Sequence, residues 1–329
     1  MIKQFMRDNP IHKKIVPYFD YFFLLRPTLY FAVWVMVALG MATAKMSMIS
    51  HPLWIANYDY STFLVFLGIT LLCSGTFIIN QIVDKGSDEK NQKLFLISQY
   101  VEIEDAQRIS NAISIVGILL LMIGNLGLTP FGICIYILWG VMYNKPPFEW
   151  KKHPIFGILT NSLIGIILFL MGWLQVAGSS NLQFEVLISL MAPYIFCFTA
   201  VSLMTNIPDI KGDKSESANT FSVKFGRRIT SILATIIVIV AFYLSYQNSD
   251  PIASTATLSS IPFFMFALIR NLDKDILRAI RYPIFLLNFF VFVVYPLLFV
   301  SVFIIYYFSK YYYWHRFDLH YPTFLVEND

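Results

Sequence analysis

Two stretches of similar sequence decide the fold: NQIVDKGSDEK over residues 80–90 and NIPDIKGDKSE over residues 206–216. Each stretch follows a long apolar run and holds two aspartates four residues apart: Asp84 and Asp88, then Asp209 and Asp213. Carboxylates at the boundary of an apolar segment are costly unless they are solvated, paired with cations or bound to metal ions. The repeated pattern therefore indicates that two apolar helices bring their acidic ends to a common site.

The composition is typical of a membrane protein. Of the 329 residues, 57% are hydrophobic and 13% are charged, whereas soluble domains carry about 25% charged residues. Nine apolar segments approach the length that crosses a bilayer, and in lipid such segments should be helices. They lie at residues 24–44, 60–80, 109–125, 129–143, 155–175, 186–206, 229–246, 256–270 and 283–308.

The distribution of lysine and arginine predicts the orientation. Of the 24 lysines and arginines, 21 fall in alternate connections, beginning with the N-terminal segment 1–23, with which Arg26 at the start of the first span is counted. Such an excess marks the cytoplasmic side, where we expect the N-terminus and the mouth of the site. The expected fold is an all-α integral membrane protein with nine transmembrane helices around a central cavity. The second-to-third and sixth-to-seventh connections would form a cytoplasmic cap, and residues 1–329 one membrane domain with a C-terminal tail at 309–329.

The acidic pairs predict a magnesium site that binds a phosphate group. On a continuing helix, residues four apart share a face, so Asn80, Asp84 and Asp88 form one polar stripe and Asp209 and Asp213 a second. These hard oxygen donors suit Mg²⁺, which typically binds one or two carboxylates together with substrate phosphates and water. Lysines surround both stripes. The pattern indicates an anionic, phosphate-bearing substrate whose apolar part lies in the membrane.

These residues resemble the UbiA family of intramembrane prenyltransferases, which has nine transmembrane helices. The family's two aspartate motifs read NxxxDxxxD and DxxxD, and here they stand at residues 80–88 and 209–213. The pair Arg26–Pro27, which opens the first span, is also similar. So is YNKPPFEWKK over residues 143–152, a loop that follows the fourth helix and contains Tyr143 and Lys151.

The chain departs from the family pattern after the first motif. Many members carry an Arg-Pro and a Ser-Gly there, and both are missing from NQKLFLISQYVEIEDA over residues 91–106. Ser217 also replaces a frequent glycine. All four aspartates are present, so the resemblance still implies activation of a diphosphate, whereas the altered connection leaves the acceptor open.

The resemblance implies transfer of a prenyl group from a prenyl diphosphate, of geranylgeranyl length or longer, to an apolar acceptor in the membrane. The allylic C–O bond breaks, a carbocation forms and pyrophosphate leaves. The expected cofactor is Mg²⁺, as two ions held by Asn80, Asp84, Asp88, Asp209 and Asp213. The other expected roles are catalysis by the four aspartates with Tyr143 and Lys151, diphosphate binding by Asn80, Lys93, Lys151, Lys211, Lys214 and Arg26, and acceptor binding by Asn161 and Ser162.

Three of these residues also have a purely structural interpretation. Asn161 and Ser162 lie within an apolar segment, where they would serve equally well in a hydrogen bond between helices. Tyr143 lies at the end of a segment, where it would serve as an interfacial anchor.

Several functions remain open from the sequence. The acceptor is expected to be an aromatic ring or ring-containing precursor of the quinone or chlorin type. Prenyl transfer to a glycerol-phosphate lipid, as in digeranylgeranylglyceryl phosphate synthases, or terpene cyclisation would use the same aspartates. A cation-coupled transporter is less consistent with acids at one mouth, because transport sites usually lie near the membrane midplane. A non-enzymatic assembly subunit would leave the paired aspartates unexplained, and no pattern points to nucleic acid.

Overall fold

The computed structural model describes residues 9–48, 59–90, 96–178 and 184–322, and within these ranges it is helical without a β-strand. This confirms the predicted all-α class. The helices that position the site are α1 (Tyr30–Met48), α2 (Tyr60–Val83), α3 (Lys85–Lys90), α4 (Ile103–Gly124), α5 (Leu126–Met142), α6 (Phe156–Ala177), α7 (Phe184–Thr205), α8 (Ile210–Ser215), α9 (Phe221–Gln247), α10 (Pro251–Arg270), α11 (Asp273–Val294) and α12 (Pro296–Phe317).

Seven of the described helices are long and apolar enough to cross a membrane: α1, α2, α4, α6, α7, α9 and α10. Helix α5 is apolar but shorter. These helices agree with an integral, multi-pass membrane protein, as the composition predicts. The sequence predicts nine spans, which is two more than these seven helices.

The prediction of one last span over residues 283–308 is wrong. The helix is interrupted at Tyr295, so that α11 ends at Val294 and α12 begins at Pro296. Proline has no N–H to donate and is favoured in the first turn of a helix. The sequence is apolar on both sides of this interruption, so hydropathy alone predicts one continuous helix.

Helix α12 returns to the N-terminal segment. Near its end, the Tyr312 hydroxyl donates to Asp20 Oδ1 at 2.6 Å, and Arg316 Nη2 donates to Asp20 Oδ2 at 2.9 Å. Asp20 is buried, with 4% of its surface exposed, so these partners satisfy a carboxylate that would otherwise be costly. The first nine residues of the predicted tail 309–329 therefore belong to a packed helix.

Close packing of α1 against α6 fixes the wall beside the site. A Cβ added at Gly172 would lie 1.9 Å from the carbonyl oxygen of Val37, and one added at Gly40 would lie 2.0 Å from that of Phe169. Only glycine permits the two backbones to approach this closely. Such small-residue contacts are typical of membrane helices, where van der Waals packing drives association.

Candidate functional site

The first acidic pair continues the helical turn beyond α2. The backbone N–H of Asp84 donates to Asn80 O at 2.8 Å, and that of Asp88 donates to Asp84 O at 2.8 Å. The Asn80 side chain lies on the same face, because its Nδ2 donates to Asp84 Oδ2 at 2.6 Å. The structure therefore brings Asn80 and Asp84 together as the four-residue spacing predicts.

The second acidic pair lies at α8, beyond the end of α7: Asp209 directly precedes this helix and Asp213 lies on it. The backbone N–H of Asp213 donates to Asp209 O at 2.9 Å, so the spacing again spans one helical turn. The hydroxyl of Thr220 donates to Asp213 Oδ2 at 3.0 Å. Thr220 stands directly before α9, and its hydroxyl holds the orientation of this carboxylate.

The short helices α3 and α8 pack against each other, so both acidic pairs face one cavity of about 80 Å³. Glu216 packs close to Gly86 at this contact. A Cβ added at Gly86 would lie 2.6 Å from Glu216 Oε1. The cavity is lined by Asp84, Ser87, Asp88, Tyr143, Lys151, Lys152, Asn206, Asp209, Asp213, Glu216, Ala218 and Thr220. We call it the polar cavity.

Two cations pair with the first acidic stripe. Lys151 Nζ forms an ion pair with Asp84 Oδ1, and Arg26 Nη2 lies 3.3 Å from Asp88 Oδ2. The Lys151 side chain is only 10% exposed, so its charge is largely shielded from water. Since a buried charge is strongly unfavourable without a partner, this lysine has to face an anion inside the cavity.

The loop that carries Lys151 is tied to both sides of the polar cavity. The backbone N–H of Lys151 donates to Tyr143 O at 3.2 Å, and the backbone N–H of Asn219 donates to Lys152 O at 2.9 Å. The first bond folds the loop back on the end of α5. The second attaches it to the connection between α8 and α9, and so it positions Lys151 beside both acidic pairs.

The donor chemistry of the polar cavity fits Mg²⁺, because its side chains offer carboxylate and amide oxygens. In the part of the chain that the structure describes, however, no three His, Cys, Asp or Glu side chains are close enough to hold one metal ion. The ion pairs of Asp84 and Asp88 offer a physical reason, since each carboxylate is turned to a cation of the protein.

A larger apolar cavity of about 320 Å³ adjoins the polar cavity. Tyr143 lines both cavities, and Asn80 lines the apolar one while hydrogen bonding to Asp84. Most of the remaining lining comes from α1, α2, α6, α7 and α11: Leu29, Ala32, Val33, Val35, Met36, Thr76, Phe77, Leu168, Tyr194, Cys197, Phe198, Val201, Ser202, Thr205, Pro283, Ile284 and Leu287. The arrangement places a charged compartment against an apolar one.

Tyr143 lies directly beyond α5, at the boundary between the cavities. Burial raises the pKa of its phenol above the ordinary value, and the Asp84 carboxylate raises it further. The phenol is therefore protonated at neutral pH. The phenol is hydrogen bonded to the side chain of Asn161, which lines the apolar cavity.

A row of hydrogen bonds crosses the wall of the apolar cavity. Trp139 Nε1 donates to Asn161 Oδ1 at 2.9 Å, and Asn161 Nδ2 donates to Ser202 Oγ at 3.0 Å. All three residues line the cavity. Ser162 does not contribute to the described lining, and its hydroxyl lies 2.7 Å from Thr199 Oγ1. Both residues therefore make hydrogen bonds between helices, and of the two only Asn161 also lines the apolar cavity.

The remaining predicted diphosphate ligands are dispersed. Lys211 and Lys214 are exposed on α8 and do not contribute to the described lining of the polar cavity. Lys93 lies outside the described residues. Arg26 reaches the site through its ion pair with Asp88.

Sequence reasoning missed two residues that shape the site. Asn144 is 1% exposed, and it accepts from Asn80 Nδ2 at 3.0 Å while donating to Trp139 O at 2.6 Å. Glu216 lines the polar cavity beside Gly86. Asn144 stands next to Tyr143 in YNKPPFEWKK, so a close reading of that loop offered a signal, whereas Glu216 resembles any charge on a solvated turn.

A model of the UbiA prenyltransferase family matches residues 32–288 of the chain. Among curated relatives, the chloroplastic 2-acylphloroglucinol 4-prenyltransferase of Humulus lupulus is 28% identical over 220 residues, covering 63% of this chain and 54% of the relative. Digeranylgeranylglyceryl phosphate synthase of Sulfolobus acidocaldarius is 29% identical over 185 residues, covering 56% of this chain and 64% of the relative. The chain spans about half the length of the Humulus relatives.

Solved structures share the fold. A UbiA homolog from Archaeoglobus fulgidus bound to GPP and Mg²⁺ has a TM-score of 0.62 and 17% sequence identity, covering 84% of this chain and 99% of that one. The apo structure of a UbiA homolog from Aeropyrum pernix K1 has a TM-score of 0.58 and 13% identity, covering 83% and 98%. At these identities the likeness concerns the fold alone.

Proposed function

Because this chain belongs to the UbiA prenyltransferase family, we propose that it transfers a prenyl group from a prenyl diphosphate to an apolar acceptor. The allylic C–O bond breaks, pyrophosphate leaves and the acceptor takes the prenyl carbon. The observation that carries the proposal is the junction of the two cavities at Tyr143. A diphosphate suits the polar cavity, and an isoprenoid tail suits the apolar one.

The cofactor in this proposal is Mg²⁺, as two ions. Asn80, Asp84 and Asp88 would hold one ion, and Asp209 and Asp213 the other, because the two pairs lie on separate connections. Bound Mg²⁺ supplies Lewis-acid neutralisation of the leaving pyrophosphate. The homolog from Archaeoglobus fulgidus that is bound to GPP and Mg²⁺ supports Mg²⁺ as the cofactor.

The chain's own cations complement the charge of the diphosphate. Lys151 and Lys152 line the polar cavity, and Arg26 reaches it through Asp88. Preorganised donors in a shielded site stabilise developing negative charge more strongly than water does. Lys151 would make the main contact with the leaving pyrophosphate. Lys93, Lys211 and Lys214 would assist from the surrounding connections.

The apolar cavity has a second task, which is to protect the cation. A carbocation reacts with water, so the carbon that loses the diphosphate must lie in a dry compartment. The aromatic side chains of Phe77, Trp139 and Phe198 line the cavity, and the face of an aromatic ring attracts a cation. The Tyr143 phenol would donate a hydrogen bond to the departing oxygen at the boundary between the cavities, where the C–O bond would break.

We also propose that the polar cavity opens to the cytoplasm beneath a cap formed by α3 and α8. The excess of lysine and arginine in alternate connections supports this orientation. Helix α12 adds support, because it returns Lys310 and Arg316 to the side of the N-terminal segment. With α5, α11 and α12 added to the seven apolar helices, the bundle would exceed the nine spans expected.

For the acceptor we propose an aromatic or ring-containing compound. The relatives from Humulus lupulus are named as prenyltransferases of 2-acylphloroglucinols, which supports a ring. A glycerophosphate lipid is the second candidate, because digeranylgeranylglyceryl phosphate synthase of Sulfolobus acidocaldarius is similarly related.

The decisive experiment measures pyrophosphate release from labelled geranylgeranyl diphosphate with Mg²⁺ and a panel of acceptors. We expect acceptor-dependent release that disappears with EDTA and in Asp84→Asn and Asp209→Asn. Asp273→Asn is the matched control, because that carboxylate is 86% exposed on α11 and outside the cavity lining. Undiminished release in both site variants would contradict the proposed function.

A further inference from the structure

A third cavity lies between the end of α10 and the start of α11, away from the site described above. It has a volume of about 210 Å³ and is lined by Phe263, Phe266, Arg270, Asp275, Arg278 and Tyr282. None of these six residues contributes to the described lining of the polar cavity or of the apolar cavity. We call this third cavity the arginine pocket.

The arginine pocket carries more positive than negative charge. Arg278 Nη1 donates to Asp275 Oδ1 at 3.1 Å, and Arg270 Nε lies 3.1 Å from Asp275 Oδ2. Asp275 is 1% exposed, so the two arginines satisfy a carboxylate that would otherwise be costly to bury. Because two guanidinium groups face a single carboxylate, the lining keeps one positive charge in excess.

Both arginines have N–H groups left after they pair with Asp275. A guanidinium group carries five N–H donors, and the contact with Asp275 uses one nitrogen of each side chain. The Arg270 and Arg278 side chains are 43% and 35% exposed, so a ligand can reach them from outside the protein. Arginine is well suited to phosphate, because its planar fork of donors matches the phosphate oxygens.

The arginine pocket lies at the same end of the helical bundle as the polar cavity. Arg270 is the last residue of α10, which is one of the seven helices long enough to cross a membrane. At the start of α11, Asp273 forms an ion pair with Arg227 of α9. Helix α9 begins directly after Thr220, which lines the polar cavity. The pocket therefore lies at a membrane boundary, where lipid headgroups are found.

The surroundings of the arginine pocket are apolar and face outward. Phe266 and Ile269 are exposed on α10, and exposed apolar side chains on a membrane helix mark a surface that contacts lipid. Phe263 stacks on Tyr282 with ring centroids 4.3 Å apart, which joins α10 to α11 at the wall of the pocket. An anion bound here would thus lie beside acyl chains.

We propose that the arginine pocket binds the phosphate group of an anionic membrane phospholipid. Basic pockets between membrane helices bind such headgroups. A zwitterionic phospholipid suits the pocket less well, because its ammonium group would lie near two guanidinium groups. The inference goes beyond the proposed function, since it concerns a separate pocket and a ligand that is not consumed.

The test measures which phospholipid the purified, delipidated full-length protein binds. Native mass spectrometry is used to titrate the protein with phosphatidylglycerol or with phosphatidylcholine of the same acyl chains, and it gives an apparent dissociation constant for each lipid. We expect phosphatidylglycerol to bind about tenfold or more tightly than phosphatidylcholine, because charges interact strongly in a partly shielded site.

Two single substitutions locate the bound lipid. Arg270→Gln and Arg278→Gln each remove one guanidinium group, while the other arginine still pairs with the buried Asp275. We expect each substitution to weaken the binding of phosphatidylglycerol by about tenfold or more, since each removes a charge-assisted hydrogen bond. Arg228→Gln is the matched control, because Arg228 is exposed on α9 and outside the lining of the pocket. It should change binding by less than about threefold, because an exposed charge interacts weakly.

A substitution that acts in the opposite direction keeps the test decisive if the arginine variants fail to fold. Asp275→Asn removes the carboxylate that competes for the two arginines and keeps the size of the side chain. It should tighten the binding of phosphatidylglycerol several-fold. Thermal unfolding of each variant shows whether the fold is intact.

The outcomes decide both the pocket and the source of the phosphate. Equal binding of the two lipids to the unsubstituted protein overturns the proposal, as do undiminished binding in both folded arginine variants and weaker binding by a folded Asp275→Asn protein. Inorganic phosphate is added as a competitor. If it occupies the pocket while neither lipid does, the ligand is a soluble anion and the proposal fails. Binding is measured without prenyl diphosphate or acceptor, so none of these results bears on the proposed function.

Discussion

Replacing Lys151 by methionine tests whether a protein cation stabilises the leaving pyrophosphate. Methionine keeps much of the length of the side chain and removes its charge. The Lys151 side chain is 10% exposed and its partner Asp84 is 25% exposed, so water replaces little of the lost interaction. The loop bond from the Lys151 N–H to Tyr143 O is a backbone bond and survives the substitution.

The magnitude follows from the environment of the ammonium. A hydrogen bond to a charged group contributes about 1.5–3 kcal/mol, and about 1.4 kcal/mol corresponds to a factor of ten. We therefore expect Lys151→Met to lower kcat/KM between about 10-fold and 150-fold. Because the charge develops as the C–O bond breaks, most of the loss should appear in kcat rather than in KM.

The assay is steady-state release of pyrophosphate from geranylgeranyl diphosphate with saturating acceptor and Mg²⁺. Lys224→Met is the matched control, because Lys224 is exposed and outside the lining of the polar cavity. Thermal unfolding of each variant checks that the fold is intact. A Lys151→Met enzyme that folds normally and keeps kcat/KM within about threefold of the unsubstituted protein, well inside the smallest loss expected, would refute the reasoning.

Three further substitutions test the scaffold. Gly172→Ala should lower the unfolding temperature and destabilise by about 1–3 kcal/mol, because the new Cβ would meet the Val37 carbonyl oxygen at 1.9 Å; an unchanged transition would contradict the close contact. Asp20→Asn should release α12 from the N-terminal segment, since Arg316 loses its carboxylate partner, and limited proteolysis should then cleave α12 faster. Thr220→Val removes the hydroxyl that orients the second acidic pair and should raise the Mg²⁺ concentration for half-maximal activity several-fold, whereas an identical metal titration would contradict that role.

The sequence predicts the helical class and the acidic pairs for physical reasons that act locally. Lipid leaves the backbone no alternative to helix over long apolar runs, and a four-residue spacing places side chains on one face. Asn80 and Asp84 are therefore hydrogen bonded as the spacing requires. The family match over residues 32–288 confirms the resemblance read from the motifs.

The remaining features depend on contacts that a local pattern does not contain. Arg26 and Asp88 are 62 residues apart, and Lys151 and Asp84 are 67 apart, so the sequence gives the charges but not their pairing. The turn at Tyr295 is hidden because hydropathy is continuous across it. The contact of α12 with Asp20 joins residues 292 apart, which a local pattern also does not predict.

Tyr143 meets two requirements of the proposed chemistry. The departing diphosphate needs a hydrogen-bond donor, but the allylic carbocation must not meet a nucleophile other than the acceptor. Burial and the Asp84 carboxylate raise the pKa of the Tyr143 phenol, so the residue remains a protonated donor and is not a phenolate that could trap the cation. A neutral phenol at this boundary can donate a hydrogen bond to the departing diphosphate and is a weak nucleophile toward the cation.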